Sequence, residues 1–229
     1  MTRILHTLCG ADVARPFSPH CWKAVMALAH KGLDFDERPV PFLDVPKIEH
    51  GFAKIVPVLR DGDRLVSDSF DIALYLEDAY PDRPTLFNGE GGKAMARFVE
   101  GFSQMVIHPA ISRIALLDIH ATLDAENRAY FRQSREAAFG KTLEQVVIDR
   151  DRELKAFPEK LWPLRRMLGH QPFIGGEGPL FADYIVFGAL QWIRVTAGVT
   201  LFPDDDPVKA WFERCLDLHA ARGRHVTAA

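Results

Sequence analysis

Residues 81–92, PDRPTLFNGEGG, place two prolines and three glycines in one short stretch, a density of turn residues that regular secondary structure does not tolerate. The apolar period differs on its two sides, and that difference constrains the fold more than any other feature. Before it, short apolar runs alternate with helical spacing. ILHTL (4–8) reads as a strand; Trp22, Val25, Met26 and Ala29 then recur at i, i+3, i+4 and i+7, one face of a helix that Gly32 can close. DFDERPV (34–40) fits a second strand, VPVLRDGDRLVSD (56–68) a hairpin turning about Asp61-Gly62, and FDIALYLEDAY (70–80) a helix with Ile72, Ala73 and Leu76 on one side. Residues 43–54 carry no clear period. After the stretch, only helices are expected, over about 93–120 with an interruption near Pro109, 125–138, 143–168 with bends near Pro158 and Pro163, 181–195 and 207–221. The expected fold is α/β plus all-α: a small α/β domain over 1–80, a linker over 81–92 and a helical bundle over 93–229.

Composition removes several function classes. The net charge of -3 with 26% charged residues lacks the basic surplus that binding a phosphate backbone requires, so no nucleic-acid partner is expected. Three separated cysteines, Cys9, Cys21 and Cys215, do not make a disulfide framework and favour a reducing compartment. No run of about 18 apolar residues is present, and the start of the chain lacks a leader pattern, so no membrane association and a cytoplasmic location are expected. The nine histidines lack metal-ligand spacing, and no metal site is expected. GGEG and NGEGG are turns, because no Lys-Ser or Lys-Thr follows them.

Three stretches offer chemistry. In FSPHCW (17–22), Ser18 followed by proline and an amphipathic run fits a helix N-cap with proline at the first helical position. That helix start also follows the first strand of a β-α-β unit, beside the strand ends where open sheets bind ligands, and its amides and dipole favour an anion. In IVPVL (55–59), Pro57 either opens a strand in the ordinary trans form or follows a cis bond that turns the Val56 backbone outward to meet an extended ligand. In SDSFD (67–71), Asp68 or Ser69 caps the next helix, or the pair receives a ligand that carries both an ammonium and a carboxylate. Cys21 reads first as a packing residue, with thiol redox chemistry as the alternative.

Taken in order, a serine at the first strand–helix junction, an I-V-P-V-L strand, a D-S helix start and an all-helical second half resemble the soluble glutathione transferases over essentially the whole chain. The resemblance implies a thioredoxin-like first domain, glutathione as co-substrate, a small hydrophobic or aromatic electrophile as second substrate, and a homodimer. It places Ser18 at the glutathione sulfur as the catalytic residue, Val56 and Pro57 at the cysteinyl backbone, and Asp68 and Ser69 at the γ-glutamyl group. For the glycyl carboxylate it leaves Lys54, ahead of His50 and Lys47. SPHCWKAVMALAHKGLDFD, SDSFDIALYLEDAYPDRPTLF, FADYIVFGAL and DDPVKAWFERCLDLHAARGRH look like segments of the bacterial β-etherase-type transferases and their fungal relatives, which implies cleavage of β-aryl ethers. A ligand-binding protein without turnover has the same signature. One departure concerns Asp183: family members usually carry Ser or Thr three residues earlier as half of a capping box, and here Leu180 stands there. Asp183 is therefore expected to be structural.

Overall fold

The computed structural model describes residues 3–229. Four strands form one mixed sheet in the order β2-β1-β3-β4. β1 (Arg3–Leu8) runs parallel to β2 (Phe35–Val40) and antiparallel to β3 (Val58–Asp61), which pairs in turn with β4 (Arg64–Ser67). Parallel neighbours need a crossover, and α1 (Pro19–His30) supplies it. The β3–β4 turn is tight because Gly62 adopts a φ of 60°. α2 (Ser69–Ala79) packs beside α1 and buries Phe70, Ile72, Ala73 and Leu76, which adds Phe70 to the face expected from the sequence.

The segment without a period is a run of 3-10 turns over Phe42–Gly51. Glu49 and His50 take left-handed φ values of 49° and 58°, so no helical stripe develops in the sequence. Burial of the Glu49 carboxylate holds this segment: it receives His6 Nε2 at 2.8 Å and an ion pair from Arg60. On the other side Asn127 Oδ1 accepts from the Leu43 amide at 3.0 Å, which ties the segment to the helical half.

The helical half begins earlier than its sequence suggests. α3 (Glu90–Phe102) starts inside the glycine-rich stretch, with Glu90 in its first turn paired to Lys93 at 2.7 Å. Gly92 sits within it because a Cβ at that position would lie 1.6 Å from the Phe87 carbonyl oxygen. A wide π turn (Ser103–Ile107) leads into α4 (His108–Ala121), so Pro109 occupies a first helical turn, where its missing N–H is harmless. α5 (Ala125–Phe139) agrees with expectation, whereas 143–168 divides into α6 (Leu143–Val146), α7 (Arg150–Lys160) and α8 (Trp162–Leu168). Pro163 starts α8, while Pro158 is carried inside α7. α9 (Phe181–Thr196) is buried along nearly its whole length. α10 (Pro207–His225) contains a left-handed turn at His219, Ala220 and Ala221. Among the described residues, no helix is long and apolar enough to cross a membrane.

α9 is the axis of the molecule and packs most extensively on α1. Gly188 permits that approach, since a Cβ there would come within 2.4 Å of the Pro19 carbonyl. Trp22 meets Phe187 edge-on at 5.9 Å between ring centres. At the start of α9, the Asp183 carboxylate is fully buried and accepts the backbone amides of Ile174 (2.7 Å), Gly175 (2.9 Å) and Leu180 (3.0 Å) and Trp211 Nε1 (2.9 Å). Leucine at 180 has no side-chain oxygen to return the cap, so Asp183 performs its half of the box alone and also ties down the loop before α9 and helix α10. Burial still raises its pKa, despite those donors. Asp183→Ala would leave three backbone amides without an acceptor, at about 1–3 kcal/mol each. Urea unfolding should show a loss of roughly 3 kcal/mol or more; a loss near that of a surface substitution would show that Asp183 is not the anchor of α9.

Candidate functional site

A cavity of about 360 Å³ opens where the first turn of α1, the 42–57 segment and the start of α2 converge. Ser18, Lys54, Val56, Pro57 and Asp68 all line it. The sequence-derived residues thus come together in space, with one exception: Ser69 is 1% exposed and lies just behind the wall.

Each residue is positioned by local backbone chemistry. Ser18 is the N-cap of α1, with φ −60° and ψ 126°, and its Oγ accepts the Cys21 amide at 3.3 Å. The hydroxyl also faces the Cys21 thiol, a contact that works against the burial shift there, and its O–H is able to donate to a ligand instead. The Val56–Pro57 peptide bond is cis. The Val56 amide and carbonyl find no partner among the described residues. Asp68 caps α2 through Oδ1, which accepts Phe70 N at 2.7 Å and Asp71 N at 3.3 Å, so Oδ2 is left over. Asp68 also has a φ of 74°, a strained value for a residue with a Cβ and of the kind that collects at ligand sites. The buried Ser69 Oγ, next in sequence to Asp68, has no hydrogen-bond partner among the described residues, an unmet demand.

The three basic candidates now separate. Lys54 lines the cavity and makes no ion pair among the described residues. Lys47 is 73% exposed and paired with Asp44 at 2.6 Å. His50 sits in the left-handed turn, away from the lining.

A second chamber of about 180 Å³ adjoins the first and shares Leu8, Ser18, His20, Phe42 and Arg135 with it. Its walls carry several aromatic rings, including Phe17, Phe131, Phe139 and Trp192. Through Ser112 and Phe139 it continues into a larger surface cavity of about 490 Å³ between α4 and the α6–α7 region, which contains none of the residues named above for the first chamber. His108, Ser112 and Arg113 line these spaces. Met105 instead points outward and is 78% exposed.

His20 and Arg135 were not singled out by sequence. His20 lies two residues past Ser18, a position that was its only signal, and its ring meets that of His108 edge-on at 5.2 Å. Lys23, itself fully buried, places Nζ 3.3 Å from His20 Nδ1 and 3.1 Å from Glu100 Oε1. An ammonium only donates, so Nδ1 accepts and the proton of a neutral His20 resides on Nε2. Burial, with help from the Lys23 charge, lowers the His20 pKa to about 4. Burial, then the neighbouring His20 and Lys23, lowers that of His108 to about 3. Cys21 is 1% exposed, and burial pushes its thiol up to about 12. That thiol is a packing group, which removes the physical basis for redox chemistry there. Among the described residues, no group of three or more His, Cys, Asp or Glu side chains could hold a metal ion.

The architecture is that of a thioredoxin-like domain joined to a helical domain, with a ligand cavity at the junction. Comparison with known proteins names the family. Residues 17–79 match the glutathione S-transferase N-terminal domain and residues 94–217 the glutathione S-transferase C-terminal domain, so the chain belongs to the glutathione S-transferase family. The chain is 27% identical over 222 residues to glutathione S-transferase-like protein ustS of Aspergillus flavus, covering 82% of this chain and 78% of that protein. It is 44% identical over 66 residues to glutathione S-transferase Z1 of Arabidopsis thaliana, a match spanning 27% of this chain and only 30% of that relative. Among solved structures, a glutathione transferase of Phanerochaete chrysosporium superposes with a TM-score of 0.82 at 24% identity, covering 96% of this chain and 97% of that one. A glutathione S-transferase of Ceriporiopsis subvermispora in complex with glutathione superposes at 0.79 and 22% identity, covering 100% and 99%.

The depressed histidines carry a pH signature. His20, His108 and His219 (about 4, held down chiefly by burial) are neutral in the fold, whereas an unfolded histidine titrates near 6.5. Their stabilising contribution is complete above about pH 6.5 and is lost as pH falls toward 4, because the unfolded chain then binds more protons. Unfolding free energies from urea titration should therefore decline across that window, by up to about 1.4 kcal/mol per pH unit for each histidine. His108→Gln should flatten the decline; an unchanged slope would show that His108 titrates normally.

Proposed function

We propose that this chain is a glutathione transferase in which Ser18 stabilises the glutathione thiolate for attack on an aromatic electrophile. The observation that carries this reading is the convergence of Ser18, Val56, Asp68 and Lys54 on one cavity, with an aromatic chamber opening directly beside Ser18. Glutathione supplies the nucleophilic sulfur: a C–S bond forms at the electrophile, and the leaving group departs with its electron pair. Asp68 Oδ2 and Ser69 Oγ, both without an assigned partner, suit the ammonium and carboxylate of the γ-glutamyl group. The free Val56 amide and carbonyl suit the cysteinyl backbone, and the unpaired Lys54 suits the glycyl carboxylate.

Ser18 then acts on the sulfur. A free thiol has a pKa of about 8.5 and is only a few per cent ionised at pH 7. A hydrogen bond to a charged acceptor contributes roughly 1.5–3 kcal/mol and the helix terminus about 0.3–1. At about 1.4 kcal/mol per pKa unit, together they lower the thiol pKa by about 1 to 3, enough to make thiolate a major species. Serine in place of a second cysteine keeps the protein itself out of disulfide exchange.

For the acceptor, we infer an aromatic compound, and a β-aryl ether is the member of that class to assay first, because the neutral His20 that lines both chambers beside Ser18 supplies an N–H donor suited to a departing phenolate. The homodimer is supported by Met95, Phe98 and Met105, which are 39%, 73% and 78% exposed along α3 and the following π turn. Phe98→Asp should shift the protein to monomer in analytical ultracentrifugation; a dimer that survives it would move the interface elsewhere.

Ser18→Ala should reduce kcat/KM for conjugation by roughly ten- to a hundredfold near pH 7, with an unaltered circular dichroism spectrum and partial recovery at alkaline pH. An unchanged rate would remove Ser18 from the mechanism. Glutathione binding without turnover of any aromatic electrophile would favour a non-catalytic ligand carrier.

A further inference from the structure

Arg135 stands apart from the other enclosed cations. Lys23 pairs with Glu100, Lys31 with Glu77, Arg3 with Asp61 and Arg165 with Asp206. Arg15 and Arg194 donate to backbone carbonyls. Arg135, half-buried on the inner face of α5, has neither an ion pair nor a hydrogen bond among the described residues. Its guanidinium is instead fixed by ring faces, 5.0 Å from the centre of Phe131 and 5.7 Å from that of Phe42. Stacking holds the group in place without neutralising it. Burial lowers its pKa, opposed by the Tyr130 phenol and by no carboxylate.

The position of this cation matters as much as its isolation. Arg135 lines both chambers. The aromatic chamber contains no acidic residue, and its histidines are neutral. The polar chamber has Asp68 as its one acid, already engaged at the start of α2, and has Lys54 as a second cation. A desolvated guanidinium with a planar set of donors and no internal acceptor leaves an unmet demand for a carboxylate or similar oxyanion.

We propose that the electrophile accepted by this enzyme carries an anionic group on an aromatic body, and that Arg135 is the residue that selects it. The aromatic body fills the space between Phe17, Phe131, Phe139 and Trp192, while the acid reaches Arg135 at the boundary with the Ser18 cavity. This rests on the transferase reading above. The other source of a carboxylate is the glycyl end of glutathione, and Lys54 is available for that end.

The test uses wild type, Arg135→Met and Arg135→Lys with para-chloromethylbenzoate and its neutral methyl ester. In both, the thiolate displaces chloride at the benzylic carbon, so only the distal charge differs. Arg135→Met keeps the stem on the Phe rings and should lower kcat/KM for the acid by roughly ten- to a hundredfold, the range of a charge-assisted hydrogen bond. The ester should change by less than about twofold, the KM for glutathione should stay constant, and Arg135→Lys should retain part of the preference. Equal losses on acid and ester would overturn the proposal. A raised KM for glutathione with both electrophiles would also overturn it and assign Arg135 to glutathione. Wild type that turns over neither compound above background, whatever Arg135 does, would overturn the transferase reading itself.

Discussion

The contact between Gly188 and the Pro19 carbonyl joins the two halves of the molecule at the place where the chemistry is proposed to occur. A side chain at 188 would need space that the first turn of α1 already occupies, so α9 meets α1 backbone to backbone. Trp22 extends the contact onto Phe187, and its Nε1 donates to the Pro16 carbonyl at 3.1 Å, which fixes the loop entering Ser18. Asp183 fixes the other end of the same arrangement by anchoring the start of α9. The loop carrying the serine is thereby held from both the helical half and the sheet from which it departs. The site is built on rigid elements, which is what orientation of a reacting group requires.

Electrostatically, the site is prepared for charge that a ligand brings. Enclosed lysines are neutralised by Glu100 and Glu77, and the histidines near Ser18 are kept uncharged by burial. Among the described residues, the groups left without a partner here include Asp68 Oδ2, the Ser69 hydroxyl and the Val56 backbone, Lys54, and Arg135 and His108 Nε2 at the aromatic chamber. Such a division suits a zwitterionic peptide on one side and an apolar partner with a single acid on the other. The aromatic walls around Arg135 exclude water and strengthen its interaction with an anion.

Much of this was legible in the sequence, for reasons that differ by element. Strand alternation, the Asp61-Gly62 turn and the amphipathic spacing from Trp22 to Ala29 are local signals, and they placed the sheet and α1 well. Ser18, Pro57 and Asp68 sit at strand and helix ends, where residue type reports backbone geometry. The 42–51 turns were opaque because left-handed residues at Glu49 and His50 erase any period. The start of α3 was missed because Gly91 and Gly92 read as linker, although Gly92 is required by the Phe87 carbonyl rather than by flexibility. Arg135 and the Lys23–His20 contact depend on tertiary neighbours, and a one-dimensional pattern contains no trace of them.

The central claim is that Ser18 stabilises a thiolate on bound glutathione, and the direct measurement is a spectroscopic pH titration of that thiol in wild type and in Ser18→Ala. A bound thiol pKa lower than that of free glutathione by about 1 to 3, returning toward the free value in the variant, is the expected result. Equal thiol pKa values in the two proteins would contradict it, since the hydroxyl would then contribute nothing to the charged state it is placed to favour.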